Sequence, residues 1–169
     1  MQEPDPAGLE SFEEFYVNHR VDVYRALAVT LCDPQLAREA ADEAMTRVYM
    51  HWSRVSFYEN PAGWAYRVGL NWATSWWRKV HREQPVGEVA GSHEPEPAPA
   101  GGDFHAYAML TNLPRAQRAV VVCRVLLQLS TAETAAALDT TEGTVKSRLA
   151  RALATLRTSL DRDDSMVTR

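Results

Sequence analysis

Apolar side chains recur along this chain at helical spacing, and no stretch alternates with period two. From "SFEE" onward, the residues Phe12, Phe15, Tyr16, Val23 and Leu27 line one face. Ser11 and Glu14 have the spacing of a capping box, which sets the start of a first helix. His19 shares that apolar face, has no His, Cys or carboxylate at metal spacing, and reads as a hydrogen-bonded packing residue. The pattern predicts a second helix after the "DPQL" break, running to about Val55. A third starts near Pro61, a residue suited to a first helical turn. On a wheel at about 100° per residue, Trp64, Val68, Trp72 and Trp76 share one arc that Ala65, Gly69 and Ala73 extend. Arg67, Asn71, Thr74 and Arg78 gather opposite. Trp64 and Trp72 are expected in the core. Trp76 and Trp77 stand at the helix end beside Arg78, Lys79 and Arg82, so they read either as packing or as a platform on which unpaired bases stack.

A second patterned segment is "LSTAETAAALDTTEGTVKSRLARALATLR". Ser130 and Glu133 form another capping box, opening a short Ala-rich helix that ends at Leu138. "DTT" is a three-residue turn, and Thr141 caps the next helix. There Val145, Leu149, Ala152 and Leu156 make an apolar stripe, leaving Thr144, Lys146, Ser147, Arg148 and Arg151 outside. A short helix, a tight turn and a second helix with a basic first half is the helix-turn-helix pattern, whose second helix enters the major groove of DNA. A solvated basic face is the plainer reading. Three cations and two hydroxyls crowded on one side directly after the turn favour DNA. The expectation is an all-α protein.

Between these segments, "VGEVAGSHEPEPAPAGGD" has no apolar periodicity and reads as a flexible linker. It divides the chain into two small helical domains, 9–82 and 104–160, joined by residues 83–103. The tail "DRDDSMVTR" is expected to fray. Charge sharpens the division. The 169 residues sum to −4, yet residues 83–103 hold five acids and no base, while 104–160 hold seven bases against three acids. The acidic total hides a basic C-terminal unit, and local fields steer partners more than totals do. A hydrophobic fraction of 46% with 24% charged residues is ordinary for a globular chain. "MQEPDPAG" lacks the apolar core of a secretion signal, and Arg124 interrupts the run "AVVVCRVLL", so no membrane association is expected. Cys32 and Cys123 are distant and lack metal spacing, and read as buried or inert thiols of a reducing cytoplasm rather than a disulfide or zinc pair. No paired-carboxylate site, His/Cys cluster, phosphate loop or nucleophile triad is visible. The chain is therefore expected to be no enzyme and to need no metal or cofactor.

Taken together, these segments resemble a known family. "LPRAQRAVVVCRVLLQLSTAETAAALDTTEGTVKSRLARALATLR" is similar to region 4 of bacterial σ70-type factors. "DPQLAREAADEAMTRVYMHWSRV" followed by "NPAGWAYRVGLNWATSWWRK" is similar to their region 2. Two regions and a linker make the layout of extracytoplasmic-function (ECF) sigma factors, and "FEEFYVNHR" and "ENPAGW" resemble the actinobacterial sigma-E-like subgroup. The resemblance covers about 150 of 169 residues. Three positions depart from the family pattern: Asp139 for the usual Gly in the turn, Thr134 for Ile, and Ser75 for Asp. Asp tolerates the left-handed conformation better than most residues, so the turn is expected to survive.

The resemblance implies an alternative sigma factor that binds core RNA polymerase and directs it to promoter DNA, with an anti-sigma factor as a further partner. Glu39, Asp42, Glu43 and Arg47 would dock on polymerase. Phe57, Tyr58 and Asn60 would capture a flipped base of the −10 element, and Arg67, Asn71, Arg78 and Lys79 would hold the opened strand. Thr144, Lys146, Ser147 and Arg151 would face the −35 element. Ala150 would accept a thymine methyl, and Arg148, Arg115 and Arg118 would position phosphates. The linker, about 22 residues, reaches roughly 70–80 Å when extended, comparable to two turns of duplex at about 34–36 Å each. The rival reading is a stand-alone LuxR-type helix-turn-helix regulator, which leaves the acidic second helix and the Trp-rich third helix without a task.

Overall fold

The computed structural model describes residues 10–83 and 104–167, and among them there is helix and no strand. The expected linker, from residue 84 onward, lies outside the described residues. Helix α1 spans Phe12–Leu31, α2 Pro34–Met50, α3 Trp52–Val55 and α4 Pro61–Glu83. In the C-terminal half follow α5 (Phe104–Thr111), α6 (Arg115–Val121), α7 (Thr131–Ala137) and α8 (Glu142–Val167).

Local chemistry sets most of these boundaries. Ser11 accepts from the Glu14 amide at 3.2 Å while the Glu14 carboxylate accepts from the Ser11 amide at 2.9 Å, so two orphan donors of α1 are satisfied. Ser130 and Glu133 repeat the box on α7, at 3.1 and 2.6 Å. The "DP" break is only a cap. Asp33 accepts from the Leu36 amide at 2.9 Å with Pro34 in the first turn, after Cys32 ends α1 at φ 53°. His19 is half-buried, its ring 4.9 Å from that of Phe15 and its Nε2 3.9 Å from a Glu10 carboxylate oxygen.

Two expectations change. The second helix does not run unbroken to Val55, because His51 leaves helical geometry at φ −116°, ψ 17° and divides α2 from α3. The tail does not fray at Asp161, since α8 continues to Val167. No Gly or Pro interrupts "DRDDSMV", so nothing in the backbone chemistry stops the helix.

Helix α4 packs on α1 and α2 through small residues and the one large ring of Tyr66. Ala65, Tyr66, Gly69 and Ala73 are buried, whereas Trp64 and Trp72 are half-buried at the margin. Gly69 lets the backbones close up: a Cβ there would stand 2.8 Å from Leu27 Cδ1 and 3.0 Å from the Ala40 carbonyl oxygen. The centre of the apolar arc is thus rotated away from the tryptophans.

The main core also crosses from one half to the other. Phe15, Val23, Leu27, Ala40 and Tyr66 share it with Val122, Cys123, Leu127, Leu129 and Ala137. A π-turn at Val122–Leu126 makes this packing feasible. It is followed by Gln128 at φ 53°, which reverses the chain so that the Leu129 amide bonds the Cys123 carbonyl at 2.9 Å. Both Leu127 and Leu129 then turn inward. Two smaller clusters, around Leu113, Val121 and Ala152 and around Val120, Ala135 and Val145, bind α6, α7 and α8 together.

Candidate nucleic-acid interface

The first half of α8 is held rigidly. Thr141 accepts from the Thr144 amide at 3.2 Å, and Asp139 takes the left-handed turn at φ 49° that the sequence asks of it. Val145 and Ala152 are buried against α6 and α7. Opposite them Lys146, Ser147, Ala150 and Arg151 are exposed, with Arg148 and Thr144 half-buried at the edges. Thr144 is partly spent on the cap, its hydroxyl 3.0 Å from that of Thr141, and Ser147 donates to the Thr144 carbonyl at 3.1 Å. Among the described residues, none of Lys146, Arg148 and Arg151 is in an ion pair. Uncompensated cations on a rigid helix face are suited to phosphate and base-edge contacts.

A second polar face runs along α4. Arg67, Asn71, Ser75, Arg78 and Lys79 are exposed, and Trp76 beside them is 42% exposed. The side chains of Trp77 and Arg82 lie outside the described residues. In the preceding loop the three expected base-capturing residues part company. Phe57 is 69% exposed. Tyr58 is half-buried, its ring 6.3 Å from Trp64, and Asn60 caps α4 by accepting from the Gly63 amide at 2.7 Å. Asn immediately before a first-turn Pro is the sequence signal for that cap.

On α2, Glu39, Asp42 and Arg47 are exposed and Glu43 is half-buried. Arg47 Nε lies 2.6 Å from Glu43 Oε1, and Glu39 accepts from Gln35 at 3.1 Å. Asp42 borders a cleft between α1 and α2 that Tyr16, Arg20, Tyr24 and Arg38 also line.

Of the two expected phosphate contacts at the start of α6, one is buried and both bond to the other half. Arg118 is buried: its Nε and Nη2 donate to the Thr30 carbonyl at 3.1 and 2.8 Å, and Nη1 donates to the Thr111 and Leu113 carbonyls, both at 3.1 Å. Thr30 is in the last turn of α1, where orphan carbonyls and the negative end of the helix dipole attract a cation. Arg115 donates to Thr74 Oγ1 of α4 at 3.2 Å. In this conformation both arginines link the halves; Arg118 is withdrawn from solvent, whereas Arg115 stays exposed.

The same seam contains residues the sequence did not single out. Thr30 Oγ1 donates to the Ala26 carbonyl at 2.8 Å, so its single proton is committed and Tyr66, also 2.8 Å away, must be the donor to it. Complete burial pushes the Tyr66 hydroxyl far above its ordinary range, with the Cys123 thiol adding to it. Burial likewise pushes the Cys123 thiol up to about 12, tempered by the neighbouring Tyr66 hydroxyl. A Thr inside the apolar run "ALAVTL" was the available hint.

Comparisons with known proteins match one part of the chain and also nearly all of it. Residues 106–156 match the family described as Sigma-70, region 4. The RNA polymerase sigma-E factor of Streptomyces coelicolor is 36% identical over 155 residues, covering 88% of this chain and 85% of its own length. The ECF RNA polymerase sigma factor SigM of Mycobacterium tuberculosis is 28% identical over 148 residues, 86% of this chain and 75% of its length. Among solved structures, the sigma factor RpoE of Bartonella quintana, crystallised with the anti-sigma factor NepR, superposes with a TM-score of 0.71 at 20% identity. That likeness in fold covers 89% of this chain and 96% of RpoE.

Proposed function

Because the chain belongs to the extracytoplasmic-function sigma factors of the σ70 family and is therefore an alternative sigma factor, we propose that it binds core RNA polymerase through α2 and reads promoter DNA with α4 and α8. The unpaired cationic face on the capped, buried-backed first half of α8 carries this reading. Laid in the major groove, that face would bring Lys146, Ser147 and Arg151 to the base edges of the −35 element, with the methyl of Ala150 against thymine. Arg148, at the edge of the face, would hold a phosphate.

Opening of the −10 element would fall to the other face. Phe57, exposed on its loop, can stack on an extruded base, while Arg67, Asn71, Arg78 and Lys79 neutralise the strand along α4. Trp76 extends that track at its basic end. Tyr58 and Asn60 would support the loop from behind, as a packed ring and a helix cap. On α2 the exposed Glu39, Asp42 and Arg47 with the Glu43–Arg47 pair offer a charged surface for polymerase. The chain's contribution is recognition, with nucleotide addition left to the polymerase, and its place of work is the cytoplasm. Among the described residues no helix is long and apolar enough to cross a membrane. An anti-sigma factor is the expected regulator, in keeping with the complex of RpoE. The similarity to sigma factors extends over both halves, which a lone LuxR-type regulator would not explain.

Run-off transcription tests the proposal. Added to core polymerase, the protein should yield discrete promoter-dependent transcripts that core alone does not produce. Dimeric binding to a palindromic operator with no effect on core would refute it.

A further inference from the structure

The break at His51 does more than divide α2 from α3. Beyond it the backbone winds with bonds three residues apart. The Arg54 amide donates to the His51 carbonyl at 2.9 Å, the Phe57 amide to the Arg54 carbonyl at 3.2 Å and the Tyr58 amide to the Val55 carbonyl at 2.9 Å. At that spacing side chains three apart stand one above another, about 6 Å per step at a rise of about 2.0 Å per residue. The segment therefore has two ridges. Its inner ridge is Trp52, Val55 and Tyr58: Val55 is buried, Trp52 packs against the rings of Phe12 and Phe15, and Tyr58 packs against Trp64. Its outer ridge is His51, Arg54 and Phe57, and all three are exposed.

Read along the outer ridge, the order is imidazole, guanidinium, phenyl ring. The His51 ring stands edge-on to that of Trp64, 6.4 Å away, which fixes one end of the row. Phe57, 69% exposed, is the other end. Among the described residues Arg54 is in no ion pair, and Glu59 is the single acid between residues 51 and 60. An uncompensated guanidinium one step from an exposed ring matches the two chemical ends of a nucleotide, an anionic phosphate and a flat base. Charge and continuity with Phe57 both select a DNA strand as the occupant.

Resting on the functional reading above, we propose that Arg54, with His51 beside it, binds the phosphate next to the base that Phe57 takes up. One nucleotide of the opened −10 strand is then gripped at both ends. The contact lies outside the cationic face of α4 and adds α3 to the path of the strand. The test uses holoenzyme assembled from the full chain and a fork-junction promoter whose −10 strand is single. Arg54→Gln should weaken fork binding roughly three- to tenfold and flatten the slope of log affinity against log salt by about 0.7, the signature of one lost contact to a single strand. Arg54→Lys should recover most of the loss, since a point charge serves a phosphate. Arg54 is exposed, so thermal melting should be unchanged in both variants. A methylphosphonate, which removes one backbone charge, should silence Arg54→Gln at one position beside the captured base. An abasic site at that base should silence Phe57→Ala and leave the Arg54→Gln defect intact. A defect that persists as each phosphate is neutralised in turn, or that appears equally in affinity for core polymerase without DNA, would overturn the proposal. Wild-type holoenzyme no better than core alone on the fork would instead remove the sigma-factor reading, and this contact with it.

Discussion

The hydroxyl chain Tyr66 to Thr30 to the Ala26 carbonyl allows a prediction whose magnitude depends on which member is removed. Tyr66→Phe deletes the donor and leaves Thr30 still bonded to Ala26, so only a lone pair goes unfilled, at a cost of about 0.5–1.5 kcal/mol. Thr30→Val keeps the shape but strands a fully buried phenol donor, which costs about 1–3 kcal/mol. The Cys123 sulfur, within hydrogen-bond reach of Tyr66, is a weak alternative acceptor and draws that figure to its lower half. Replacing both partners leaves an apolar contact of nearly native shape, so Tyr66→Phe with Thr30→Val should cost under about 1 kcal/mol, less than Thr30→Val alone. Urea unfolding of the three variants and the parent at neutral pH measures the cycle. Equal or greater cost for Tyr66→Phe than for Thr30→Val, or simple additivity, would show that the donor has been assigned the wrong way round.

Alkali should destabilise the fold. Burial raises Cys123 from about 9 in the unfolded chain to about 12, so the stability it contributes is complete below about pH 9 and is lost as pH rises towards 12, at up to about 1.4 kcal/mol per unit. Unfolding titrations of Cys123→Ala should be flatter across that window. Gly69→Ala should lose about 1–2 kcal/mol by thermal or urea melting although alanine is the better helix former, because the Ala40 carbonyl is backbone and cannot step aside. In the holoenzyme, Lys146→Ala and Arg151→Ala should each weaken −35 discrimination by about 1–3 kcal/mol, while Arg148→Ala weakens binding evenly across sequences. Loss of affinity without change of base preference in all three would reduce α8 to a phosphate clamp.

What the sequence made legible was local. Both capping boxes, the "DTT" turn with Asp139 at φ 49° and the apolar stripe Val145, Leu149, Ala152 depend on neighbours within a few residues, and they stand where the pattern puts them. Helix α4 was harder to read. A wheel weighs hydrophobicity, so it centred on the tryptophans, whereas close approach of backbones selected Ala65, Gly69 and Ala73. The break at His51 carries no Gly or Pro to announce it. Arg118 looked like any cation after a proline, because the carbonyl that claims it belongs to a distant helix. Tyr58 and Asn60 likewise looked like loop groups open to a ligand until packing and capping took them up.

The bond from Arg118 to Thr30 closes over 88 residues, whereas the caps close over three. Loop-closure entropy therefore makes the caps early and the seam late in folding. During synthesis the order is enforced by the ribosome, which completes α1 to α4 before Arg118 exists. At about 5–20 residues per second, the 35 residues from Glu83 to Arg118 take roughly 2–7 seconds. Every new molecule passes that interval with the docking face of α1 and α4 bare, so whatever captures the nascent chain then does so without having to unfasten it.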